Sequence, residues 1–88
     1  MAGTPTTGEM ARYISASIAS GTAAADRAWS GDSYAAAARR MEVNPTTVYL
    51  WETAQRHPRG RNVAIYYRYL SRLAAARNEE LARSGRVA

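Results

Sequence analysis

The chain has 88 residues, no cysteine and a formal charge of +5, and all twelve of its basic side chains are arginine. That length allows one domain with a modest core, and leaves no room for a large pocket beside a separate catalytic apparatus. The absence of cysteine excludes a disulfide framework and a thiolate metal site, so helix packing or a partner chain must hold the fold together.

The charge is unevenly placed. Between Ser33 and Arg72 stand seven arginines against two acids, a net of +5, whereas the remainder carries five arginines and five acids and sums to zero. A localised basic excess of this kind suits a polyanionic partner. Residues 1–8 are rich in Gly, Pro and Thr, lack a charged, apolar leader pattern, and read as a flexible tail. No apolar run approaches the roughly 20 residues that span a bilayer, so the expectation is a cytoplasmic, nucleoid-associated protein with no membrane contact.

From Glu9 the pattern is helical, with Met10, Tyr13, Ile14, Ile18, Ala25, Ala28 and Trp29 recurring at three- and four-residue steps. Gly21 and Thr22 interrupt it. Two readings stand: one long helix with a weak point, or a short helix followed by a second one capped by Thr22. Ser30 to Ser33 is a clear break, where Gly31 suits a helix end and Asp32 or Ser33 an N-cap. Tyr34 to Met41 then reads as a short helix whose four consecutive alanines admit another helix closely. After a second break, Asn44 as N-cap and Pro45 at the first helical position start a helix that runs to about Gln55. The segment 56–60 ends it. A long final helix starts near Arg61 or Asn62 and reaches Ser84, with Gly85 as its stop and 85–88 as a tail. No strand pattern is present. The fold class expected is all-α, roughly five helices in a bundle, with the domain spanning 9–84.

Two short helices meeting at Met41-Glu42-Val43-Asn44 have the spacing of a helix-turn-helix. The stretch Ser33–Glu52, SYAAAARRMEVNPTTVYLWE, resembles the Cro and phage-repressor family, also called the xenobiotic-response-element type. The matching features are N-capping Ser33, Ala38 at the close helix contact, apolar Met41 and Val43 beside the turn, the Asn44-Pro45-Thr46-Thr47-Val48 opening, and Trp51-Glu52 followed by Pro58. Three residues depart from the family pattern. Glu42 and Ala54 stand where glycine is usual, and Ala37 stands where a large aliphatic residue is usual, with Trp29, Met41 and Trp51 bulky enough to fill the space above it.

The resemblance implies a sequence-specific binder of double-stranded DNA, a transcriptional regulator of the repressor or Cro kind, with its second motif helix in the major groove. Pro45, Thr46, Thr47, Tyr49 and Leu50 would then meet base edges, since threonine hydroxyls donate or accept and their methyls match thymine. Val48 and Trp51 fall on the opposite, inward face. Ser33, Tyr34, Asn44, Arg56, Arg59 and Arg61 would meet phosphates, the first three around helix N-termini. The family pattern also implies an ion pair between Arg27 and Glu52. Dimers of this class read two half-sites, and the long final helix, with Tyr66, Leu70, Leu73 and Leu81, is the candidate homodimer element.

Enzymatic chemistry is not expected. His57 is the single histidine and lies between Arg56 and Pro58, with no carboxylate cluster beside it, which makes neither a metal site nor a triad. No cofactor and no small-molecule ligand is expected. The competing function is that of an antitoxin or adaptor, with DNA secondary to a protein partner, which the helical material at 9–21 and 70–84 would serve.

Overall fold

The computed structural model describes residues 3–85, and the chain positions 1–2 and 86–88, which belong to the two tails read from the sequence, lie outside them. The described chain is all-helical, with five helices and no strand: α1 (Thr7–Ala19), α2 (Thr22–Ser30), α3 (Tyr34–Met41), α4 (Pro45–Glu52) and α5 (Arg61–Gly85). α1, α2 and α5 pack on one another, α3 packs on α4, and α3 also meets α5.

α1 begins earlier than its apolar periodicity indicates. The Thr6 hydroxyl accepts from the Glu9 amide, and the Glu9 carboxylate accepts from the Thr6 amide at 2.8 Å, a capping box that draws Thr7 and Gly8 into the helix. The stretch 9–30 is two helices, and Gly21 is the reason. It adopts φ +81, a left-handed conformation that interrupts the right-handed helix, and Thr22 is the first helical residue rather than the cap.

That left-handed residue also resets the helical phase. α2 buries Ala23 and Asp26, while Ala25, Ala28 and Trp29 face outward, Trp29 with 45% of its surface exposed. Trp29 therefore does not fill the space above Ala37. Trp51 and Met41 lie buried with Ala37 and Ala38, and Trp51 packs on Tyr66 of α5 with ring centroids 4.9 Å apart. The alanine run does what its small volume permits: Ala37 and Ala38 are fully enclosed. Among the tyrosines of α5, Tyr66 and Tyr69 are core residues, and Tyr67 meets Tyr13 of α1 edge to face at 5.2 Å.

α2, α3 and α4 end in the same way. A left-handed residue closes each, directly after α2 and α3 and one residue later, beyond Thr53, after α4, and its amide and the following one turn back onto the last turn: Gly31 and Asp32 onto Ala28 and Arg27, Glu42 and Val43 onto Arg39 and Ala38, Ala54 and Gln55 onto Trp51 and Leu50. Only the first of these left-handed positions is glycine. Glu42 (φ 58) and Ala54 (φ 62) bear a Cβ there, which costs about 1–2 kcal/mol each. Part of that returns as glycine's larger unfolded-state entropy, so Glu42→Gly and Ala54→Gly are each expected to raise stability by about 0.5–1 kcal/mol. Calorimetry should record a melting point higher by about 4 °C for each. An unchanged or lower value would mean the turns relax when the side chain is removed.

Asp26 and Asp32 are buried, and each is met by basic or hydroxyl groups. Asp26 of α2 accepts from Arg77 of α5 at 2.7 Å. Asp32, between α2 and α3, accepts from Arg40 at 3.1 Å and from the Tyr69 hydroxyl at 2.9 Å. Ser33, not Asp32, is thus the cap of α3, its hydroxyl accepting from the Ala36 amide. Arg77, which interrupts the apolar stripe of α5, ties that helix to α2. Among the described residues, no helix is long and apolar enough to cross a membrane.

Candidate nucleic-acid interface

α3 and α4, joined by Glu42, Val43 and Asn44, form a helix-turn-helix unit. Asn44 caps α4 by accepting from the Thr46 amide at 2.9 Å, and Pro45 occupies the first helical position, where no amide is needed. The inward face of α4 is Val48 and Trp51, both buried. Its opposite face presents Pro45, Thr46 and Tyr49 to solvent, with Thr47 and Leu50 half-buried at its edges. No acidic side chain lies on this outer face.

Behind α4 sits a connected polar cluster. Arg27 of α2 donates to both carboxylate oxygens of Glu52, at 2.7 and 2.8 Å, so the contact implied by the family pattern is present in bidentate form. The carboxylate side chain is only 6% exposed and that of the arginine 15%. Burial pushes the Glu52 carboxyl up, but the hydrogen bonds from Arg27 and Tyr34 outweigh it and leave its pKa below the ordinary 4.5. Arg27 also donates to the Asp32 carbonyl at 2.9 Å and lies over the Tyr34 ring, 4.0 Å from its centroid. Tyr34 in turn meets Tyr49 edge to face at 5.6 Å. One arginine therefore joins α2, the start of α3 and the end of α4, and fixes the helix that carries the exposed Thr46.

This cluster corrects the expectation for Tyr34. Its hydroxyl donates to Glu52 at 2.8 Å, and burial together with that bond raises its pKa. It is a support for α4, not a group held out for phosphate. The N-terminus of α4 is also less open than expected. Pro45 has no N–H, the Thr46 amide is taken by the Asn44 side chain, and the Thr47 amide by the Asn44 carbonyl. At α3 the arrangement is more open, because Ser33 takes the Ala36 amide and leaves the N–H groups of Tyr34 and Ala35 without an acceptor among the described residues. Arg56, Arg59 and Arg61 are exposed in and beside the segment joining α4 to α5 and form no ion pair among the described residues.

The structure thus brings Pro45, Thr46, Thr47, Tyr49 and Leu50 onto one helix surface, with Ser33 and Asn44 at the two capped helix starts. Sequence reasoning missed the role of Tyr34 and the stacking of Arg27 upon it. The one available signal was an aromatic residue directly after an N-cap in a motif whose Glu52 already demanded a basic partner.

Neither a family model, a curated protein nor a solved structure matches this chain.

Proposed function

We propose that this protein binds double-stranded DNA in a sequence-specific manner, laying α4 in the major groove as a transcriptional regulator does. The observation that carries the reading is the outer face of α4: short, non-acidic and exposed at Thr46, and fixed from behind by a buried bidentate ion pair. A helix that reads bases must present hydrogen-bonding and methyl groups in a fixed register, and rigid support from a second layer supplies that register. Arg56, Arg59 and Arg61 stand beyond its C-terminal end as phosphate contacts, and the two uncommitted amides at the start of α3 face the same need.

The test is a binding selection from a random duplex library, followed by titration of Thr46→Ala and Leu50→Ala on the enriched duplex and on a scrambled one. Each substitution is expected to reduce discrimination at one or two base pairs by about 1–3 kcal/mol and to leave binding to scrambled DNA nearly unchanged. Equal loss on both duplexes would contradict a base-reading role. A selection that enriches nothing, for a chain that remains folded, would favour the competing reading of an adaptor whose partner is a protein.

A further inference from the structure

A groove of about 800 Å³ runs along α5, walled on its far side by the end of α3 and by the turn between α2 and α3. Ile65, Leu73 and Ala76 of α5 give it an apolar floor, about 16 Å long at about 1.5 Å per residue. Arg68 and Arg72, about one helical turn apart, stand exposed on the α5 rim and form no ion pair among the described residues. Arg40, Asp32 and Glu42 belong to the far wall. There Asp32 accepts from Arg40 and from the Tyr69 hydroxyl, and Glu42 forms no ion pair among the described residues. The groove is therefore polarised, with two uncommitted arginines on one rim and one uncommitted acid on the other.

Arginines beside half-buried apolar side chains suit an occupant that brings carboxylates and hydrocarbon together. Duplex DNA meets the first need and not the second, because a phosphate gains nothing from giving up water over an apolar floor. The chain itself supplies no such segment. Of its seven acids, Asp26, Asp32 and Glu52 are engaged by arginines, Glu9 caps α1 and Glu79 pairs with Arg83. Glu42 and Glu80 remain, and Glu42 is part of the groove wall. Tyr66 and Leu70, expected on a dimer stripe, lie in the chain's own core. Leu81, 60% exposed, is turned about 140° from Ala76 around the helix. A second copy thus brings neither the acids nor the apolar stripe that this groove fits.

We propose that the groove docks an amphipathic acidic helix of a partner protein, about three turns long, with apolar side chains on Ile65, Leu73 and Ala76 and carboxylates on Arg68 and Arg72. The size agrees: a helix about 10 Å across and about 16 Å long, sunk to half its depth, displaces about 600 Å³. A helix fits better than an extended segment because the described chain has no strand edge to pair with one. Glu42 sets the orientation, since a basic residue of the occupant belongs on that side. Met41 ends α3 and Glu42 opens the turn into α4, so the docked helix bears on the turn of the helix-turn-helix unit.

The proposal does not depend on DNA binding, and its main test uses none. The probe is a fluorescein-labelled peptide of about 14 residues, with leucine and glutamate at helical spacing on adjacent faces. Micromolar binding is expected, as suits a contact of small area. A scrambled peptide of the same composition should bind at least about tenfold more weakly, and so should one with lysine for glutamate. Arg68→Glu combined with Arg72→Glu should cost at least about tenfold, and the lysine peptide should bind that variant instead. Arg12→Glu with Arg39→Glu makes the same change of net charge on exposed residues outside the groove and should cost little. Far-UV circular dichroism verifies that both variants keep their helicity. Amide shifts on adding the peptide to the unaltered chain should fall on residues 40–42 and 65–76. Equal binding of the scrambled or lysine peptide, equal losses in the two charge variants, or shifts elsewhere would overturn the proposal. So would a groove variant that keeps the peptide and loses duplex DNA, which would assign these arginines to phosphates.

Discussion

Arg27→Ala is expected to lower the unfolding free energy by about 3 kcal/mol, since it leaves the Glu52 carboxylate buried with only the Tyr34 hydroxyl for company. The loss has a pH signature. In the native protein the Glu52 carboxyl lies below its ordinary 4.5, so its contribution is present above that value and disappears as pH falls through the folded pKa. Without Arg27, burial prevails and the folded carboxyl moves above the ordinary value. That group then opposes folding at neutral pH and ceases to do so once protonated. The gap between the two proteins should therefore be widest near neutrality and shrink below about pH 4. Urea unfolding at both pH values checks this, and a loss that is equal at both would mean Arg27 acts through packing on Tyr34 alone. DNA binding should weaken as well at temperatures where the variant remains folded, because α4 loses its attachment to α2.

The combined change of Arg56, Arg59 and Arg61 to alanine is expected to cost about a hundredfold in affinity for any duplex at physiological salt, and to flatten the dependence of log affinity on log salt by about three units. Each phosphate neutralised releases about 0.9 counterion, and the term carries no sequence information, so specific and scrambled duplexes should lose alike. All three side chains are exposed and form no ion pair among the described residues, so their removal is expected to leave the fold intact. Anisotropy titrations across a salt series read both quantities. An unchanged slope would take these arginines out of the interface even if affinity fell.

The helix order and most boundaries were legible because they are written in local chemistry. Ser33, Asn44 with Pro45, and Gly31 announce their ends through backbone needs that few residues satisfy. Glu42 and Ala54 were legible only as residues standing where the family has glycine, and both positions turn out left-handed. The capping box of Thr6 and Glu9 was equally readable, as a threonine three residues before a glutamate, but the glycine-rich context masked it. The orientation of α2 was not legible. Continuing one apolar stripe across Gly21 assumes an unbroken helical phase, and a residue at φ +81 breaks it, so Trp29 came out exposed and Asp26 buried. The burial of Asp26 and Asp32 depends on Arg77 and Tyr69, partners 51 and 37 residues away, and no local pattern encodes such pairs. In the candidate site, helical period placed Val48 and Trp51 inward, and the family resemblance marked the opposite face of α4. The commitment of the Tyr34 hydroxyl did not, because only the packing of α3 against α4 brings it to Glu52.

If α4 meets DNA by its outer face, amide chemical-shift mapping by NMR on adding duplex DNA will register the contact residue by residue. The largest shifts are expected at residues 44–50, at the start of α3 over 33–36, and at 56–61, with α1 and the far end of α5 little affected. Shifts confined to α1 or to residues 76–85, or none at DNA concentrations well above those of the protein, would contradict it.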